Sequence, residues 1–127
     1  MNSKPERERE RMALSLKEIM TQQAEFDADH ASPGMAWSMN ALPDHFELIE
    51  HTLVCLLGEL GEFANEVKRV AQADRSLDAA MPQLKAEMAD TFIYLVKICN
   101  QLDLDLESLF VERLAYNRIR FAAKATR

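Results

Sequence analysis

Along residues 14–29, 44–73, 82–102 and 105–124 the apolar positions recur three and four apart, the spacing of a single helical face. No run shows the strict alternation of a half-buried strand. The pattern predicts four helices. Between the first two, His30 to Asp44 carries Pro33, Gly34 and Pro43 and reads as a loop or broken turn around Trp37. Asp44 suits the N-cap of the second helix and Asp105 that of the fourth. Asp74 to Pro82 reads as a connection, with Pro82 in the first turn of the third helix, where its missing N–H costs nothing. Ser3 to Arg11 is a run of charges, expected to be solvated. The expected organisation is therefore a charged leader over residues 1–13 and one all-α, four-helix-bundle-like domain over 14–127.

The third helix is unusual in where it keeps its polar residues. Glu87, Asp90, Tyr94, Lys97 and Gln101 fall in a stripe roughly 80° wide on a 3.6-residue wheel. Nearly all the rest of that helix is apolar, which predicts burial on most sides and contact with a second copy of the chain. Buried carboxylates need a partner or a metal, because desolvating a lone charge costs several kcal/mol. The second helix adds its own acidic stripe, Glu59, Glu62 and Glu66, bordering the apolar face of Leu53, Leu56, Leu57, Leu60 and Phe63. Taken alone, that stripe reads as a solvated face far more readily than as a metal site. On the third helix Lys97 is available as a counterion, but one Lys cannot neutralise Glu87 and Asp90 together with the acidic stripe beside them.

Composition narrows the chemistry. With 127 residues, 48% hydrophobic and 28% charged, the chain suits a single globular domain rather than a disordered segment. Its net charge of −6 argues against binding duplex nucleic acid, which needs clustered Lys and Arg. A triphosphate remains accessible if a divalent cation supplies the positive charge. Cys55 and Cys99 lie in apolar stretches without a CxxC or Cys/His pattern, which argues against zinc and fits reduced thiols. Oxygen ligands without Cys or His favour magnesium, with manganese the alternative. There is no apolar leader and no apolar run of membrane-spanning length, so a soluble, cytoplasmic protein is expected.

The fourth helix offers cations to a phosphate. Arg113, Asn117, Arg118 and Arg120 lie close together, Arg113 and Asn117 four apart on one face. Complementation of the helix dipole is the alternative for Arg118 and Arg120, but not for Asn117, a mediocre helix former. Tyr94, one turn beyond Asp90, is placed either to hydrogen-bond sugar or phosphate or to pack in the core. Phe26 and Trp37 are candidates for stacking on a base, with core packing the competing role.

The ordered set Glu59-Leu-Gly-Glu62, then Glu87-Met-Ala-Asp90 running into Asp90-Thr-Phe-Ile-Tyr94, then Asn117-Arg118-Ile-Arg120-Phe121, resembles the MazG-like all-α nucleoside triphosphate pyrophosphohydrolases, including the dCTP pyrophosphatases. The likeness covers roughly residues 15–122. It implies that Glu59, Glu62, Glu87 and Asp90 hold magnesium and that an NTP or dNTP is cleaved to monophosphate and pyrophosphate. It also implies a homodimer or homotetramer, and a role in cleansing nucleotide pools. Glu59 is the choice for general base; Tyr94, Arg113, Asn117, Arg118 and Trp37 are the choices for substrate binding. Two departures stand out. Many members carry Lys where this chain has Arg113, and extra residues occur around Ser32–Met35. Two rival readings remain: a phosphoribosyl-ATP pyrophosphatase-like activity, and a non-catalytic helical oligomer that senses nucleotides or binds a partner.

Overall fold

The computed structural model describes residues 13–31 and 41–125. They form four helices and, among the described residues, no strand: α1 (Leu16–Asp29), α2 (Phe46–Ala71), α3 (Leu77–Gln101) and α4 (Leu106–Ala125). The architecture is all-α, as the periodicity predicts. Trp37 and most of the charged leader lie outside the described residues.

Helix starts follow local capping chemistry, and two of them correct the sequence expectation. Ser15 caps α1: its Oγ accepts from the Glu18 N–H at 3.1 Å and donates to the Glu18 carboxylate at 3.0 Å. Asp105 caps α4 as expected, its Oδ1 accepting from the Ser108 N–H. Asp44, however, is not the N-cap of α2; His45 is, and its ring bonds the Glu47 side chain rather than the backbone. Helix α3 begins at Leu77, not near Pro82, because Ser76 Oγ accepts from the Ala79 N–H and nucleates the helix a turn earlier. Pro82 therefore sits inside the helix, where it withholds one backbone donor.

Helices α2 and α3 end alike. Ala73 and Asp103 adopt left-handed φ values of 59° and 53°. The next N–H then reaches back to the third-last carbonyl, Asp74 to Arg69 at 2.9 Å and Leu104 to Cys99 at 2.8 Å. This is a Schellman closure, made without the glycine that usually relieves it.

The short link after α2 returns α3 antiparallel along it, and this hairpin is the most extensive pairing in the fold. Helix α1 packs on α3 around Met20, Val96 and Cys99, with Ile19 and Leu106 against them. Polar bonds stitch the far end: Gln101 donates to Thr52, Thr52 to the Leu48 carbonyl, and the Ala41 N–H to the Gln101 carbonyl. Helix α4 touches the rest mainly through α1, where Glu107 accepts from the Lys17 N–H. The expected burial of the third helix on most sides does not occur among the described residues. Met88 is 50% exposed, and Phe92 and Leu95 are exposed with it. Leu57, Phe110 and Ile119 are also open, so much apolar surface lies outside this small core.

Candidate functional site

Helices α2 and α3 leave the same turn in opposite directions with the same rise per residue, so positions equidistant from residue 74 stand at equal height. That rule sets Glu62 level with residue 86 and Glu59 level with residue 89. Glu87 and Asp90 occupy the adjacent positions, and the two carboxylate pairs share one stretch of the hairpin. Their electrostatics agree. Burial pushes the Glu59 carboxyl above its usual range, and the charges of Glu62, Asp90 and Glu87 push it further in the same direction.

The four side chains are not equivalent. Glu62 and Asp90 are exposed, Glu59 is half-buried, and Glu87 is only 4% exposed. Glu87 Oε1 accepts from Gln83 Nε2 at 2.9 Å, whereas Oε2 is buried with no hydrogen-bond partner among the described residues. No group of three or more His, Cys, Asp or Glu side chains among the described residues converges closely enough to hold a metal ion. The acidic stripe read on the second helix also divides. Glu66, nearly fully buried, is clamped by Arg69 at 3.0 Å and Arg75 at 2.7 Å, a structural ion pair at the hairpin turn. Arg75 also donates to the Ala79 carbonyl and lies 3.4 Å from Gln83 Oε1. The contact fixes which end of the Gln83 amide faces Glu87.

Beside the carboxylates a cavity of about 440 Å³ opens between α1, α2 and α3, lined by Gln23, Phe26, Glu59, Asp90, Ile93, Tyr94 and Lys97. Tyr94 lies in its wall. Burial raises the pKa of its phenol above the ordinary value, and Cys55, Glu59 and Asp90 add to the shift. Phe26 is not a core residue: it is 55% exposed and its ring stacks on His30 with centroids 4.1 Å apart. Lys97, read from sequence as a counterion for Glu87 or Asp90, makes its ion pair with Asp27 of α1 at 3.3 Å. Sequence reasoning missed Asp27 and Gln23 altogether. Gln23 and Asp27, four apart and hydrogen-bonded at 3.0 Å, were a helical pair visible in the spacing, but their burial depends on how α1 packs.

The α4 candidates stand apart from this cavity. Arg113 lies 4.6 Å over the Tyr116 ring, and Arg120 lies 4.7 Å over Phe121, cation–π contacts within their own helix. Arg118 is exposed. Asn117 is half-buried, and its Oδ1 is buried without a partner. Thus Glu59, Asp90 and Tyr94 meet around one cavity with Glu62 and Glu87 alongside; Arg113, Asn117 and Arg118 do not line it.

An all-helical chain with two carboxylate pairs facing across a hairpin has the build of the α-helical nucleotide pyrophosphohydrolases. Residues 48–117 match the MazG nucleotide pyrophosphohydrolase domain, and the chain belongs to that family. The matched span holds all four carboxylates together with Tyr94, Arg113 and Asn117; Gln23, Asp27, Trp37 and Arg118 fall outside it. The chain is also similar to the Gene 37 protein of Mycobacterium phage L5, 34% identical over 71 residues. That alignment takes in 52% of this chain and 60% of the phage protein. No solved structure matches the chain. Among the described residues no helix is long and apolar enough to cross a membrane.

Proposed function

We propose that this protein hydrolyses a nucleoside triphosphate, NTP or dNTP, to monophosphate and pyrophosphate with a divalent metal, magnesium or manganese, in the cytoplasm, where it clears the nucleotide pool of unwanted triphosphates. The observation that carries the reading is the state of the carboxylates. Burial and three carboxylate neighbours raise the proton affinity of Glu59, and Glu87 buries an oxygen that none of the described residues satisfies. Such repulsion and such an orphaned acceptor suit a site built to receive a cation.

The residues present fit magnesium in kind, being all oxygen donors. Glu62 and Asp90 are exposed, so their side chains are free to change rotamer on meeting an ion. When bound, the metal would polarise phosphate oxygens and offset the charge that builds on the leaving pyrophosphate. Glu59, Glu62, Glu87 and Asp90 would be its ligands. Glu59 is the residue proposed to take the proton from water as its oxygen attacks the α-phosphorus. The bond from that phosphorus to the bridging oxygen breaks, and pyrophosphate leaves. Tyr94 is placed to orient the sugar or phosphate from the cavity wall. Arg113, Asn117, Arg118 and Trp37 are proposed to bind substrate from beyond the cavity lining.

The chain is also proposed to act as a homodimer or homotetramer, on the strength of the exposed apolar residues of α2, α3 and α4. The decisive assay measures pyrophosphate release from the eight standard NTPs and dNTPs, with and without magnesium. Release that needs the metal, and is lost in Glu62→Gln and Asp90→Asn while both variants stay folded, is expected. Undiminished turnover in either variant, or in excess chelator, overturns the assignment.

A further inference from the structure

The buried ion pair between Asp27 and Lys97 has no place in the reaction just described, yet its lysine lines the cavity. Asp27 is 2% exposed and sits at the end of α1. It accepts from Gln23 at 3.0 Å and pairs with Lys97 at 3.3 Å, and both of those partners line the cavity. A pair buried so deeply contributes little net stability, because desolvation offsets the attraction. What it does supply is position: the Lys97 ammonium is held against α1, over the Tyr94 ring at 5.3 Å.

Position along α3 says what that ammonium meets. Asp90, Tyr94 and Lys97 stand on successive turns of one face, the last seven positions beyond the first, about 10 Å along the helix. With the phosphates at Asp90 and Glu59, as the proposed reaction requires, the rest of that cavity, from Tyr94 to Lys97, is the space left for the base. Phe26, Tyr94 and Lys97 line that space together, the Phe26 ring stacked on His30 and the Lys97 ammonium over the Tyr94 ring. An ammonium carries donors and no acceptor. It satisfies a carbonyl oxygen on the base edge and opposes an exocyclic amino group, which itself only donates.

We infer that Lys97, positioned by Asp27, selects nucleotides whose base presents a carbonyl at its outer edge, as uracil, thymine, guanine and hypoxanthine do, over the amino bases adenine and cytosine. The inference rests on the proposed hydrolase reading and adds to it the class of base. Asp27 lies outside the span matched to the family, so the pair joins the family domain to a residue supplied by α1.

Two substrate pairs exchange the edge carbonyl and its neighbouring ring N–H for an amino group and a bare ring nitrogen at nearly constant shape: dUTP against dCTP, and dITP against dATP. The full chain with magnesium is assayed for pyrophosphate release on all four, beside Lys97→Met and the charge-balanced double variant Asp27→Asn with Lys97→Met, which leaves no unpaired carboxylate if the single variant folds poorly. The ratio of kcat/KM within each pair is read, so any loss of folded protein cancels. The wild type is expected to favour dUTP and dITP, and both variants to reduce those ratios by about tenfold, the scale of one base-edge hydrogen bond. Ratios that start near one, or that survive the substitutions, overturn the inference and leave the hydrolase reading intact. If no triphosphate is cleaved, the hydrolase reading falls. Calorimetry with dUMP and dCMP then decides the pocket, and equal binding or none overturns the inference as well.

Discussion

Gln83 holds Glu87 by one oxygen: its Nε2 donates to Oε1 at 2.9 Å, while Oε2 is buried without a partner. Arg75, 3.4 Å from Gln83 Oε1 and bound to Glu66 and the Ala79 carbonyl, keeps the amide in that orientation. The carboxylate is thereby aimed by a network anchored at the α2–α3 turn, one turn of helix from the site. Groups that orient a metal ligand commonly change affinity without touching the metal.

Gln83→Leu is the test of that aim. It removes the donor and leaves a buried carboxylate with neither oxygen satisfied, at a cost of about 1–3 kcal/mol. The magnesium needed for half-maximal pyrophosphate release should rise by about tenfold or more. Melting curves and a magnesium titration check both. A variant that melts lower but keeps its metal dependence would reduce Gln83 to a structural role.

Glu59 should make stability depend on pH in a direction opposite to a salt-bridged carboxylate. Its pKa in the folded chain is raised above the ordinary 4.5, so the native state holds the proton more tightly than the unfolded chain. Folding is then favoured below that ordinary value, and the advantage is lost as pH rises through the raised one. Without metal, Glu59→Gln should therefore melt above the wild type at pH 7, and the gap should close as pH falls below 4.5. Turnover should vanish in the same variant. A lower melting point at pH 7 would show that Glu59 makes stabilising contacts rather than bearing repulsion.

The site was more legible in the sequence than the boundaries of the helices carrying it. The carboxylate spacings are local, three residues within one helix, and the hairpin brings them level whatever the detailed packing. The start of α3 was misplaced because Pro82 is a strong signal and Ser76 a quiet one, yet a serine that bonds Ala79 N–H satisfies an orphan donor and Pro82 satisfies none. Asp27 and Lys97 are 70 positions apart in sequence, and nothing in the composition of α1 announces that it lies against α3. Burial was misjudged for a different reason. The wheel of α3 shows that Met88, Phe92 and Leu95 need cover, but not that the described helices leave them without it.

That missing cover yields a prediction. Leu57, Phe110 and Ile119, on two different helices, are 60%, 61% and 75% exposed. A second copy of the chain is the expected cover, since one surface repeated about a symmetry axis hides itself. Sedimentation velocity at micromolar concentration should give a dimer or tetramer, and Phe110→Glu together with Ile119→Glu should shift it toward monomer. An active monomer of the unaltered chain would refute the assembly.

The contribution of α4 can be settled by separating kinetics from stability. Asn117 Oδ1 is buried with no donor, so in the free protein Asn117→Ala sacrifices no hydrogen bond from that atom and should leave the melting point unchanged or slightly higher. If its amide meets the triphosphate, the same change should cost about 1–3 kcal/mol in kcat/KM, the range for a bond to a charged group. Arg120 is the contrast. It lies over Phe121 at 4.7 Å and over Tyr116 at 5.9 Å near the end of its helix, so Arg120→Ala should act on the melting point and spare the kinetics. Arg113→Lys keeps the charge but loses the planar group over Tyr116, and a small loss in both quantities is expected. Measured together, the three variants assign each side chain to phosphate or to fold. Should Asn117→Ala lower the melting point and leave kcat/KM intact, Asn117 is structural, and α4 drops out of the proposed substrate contacts.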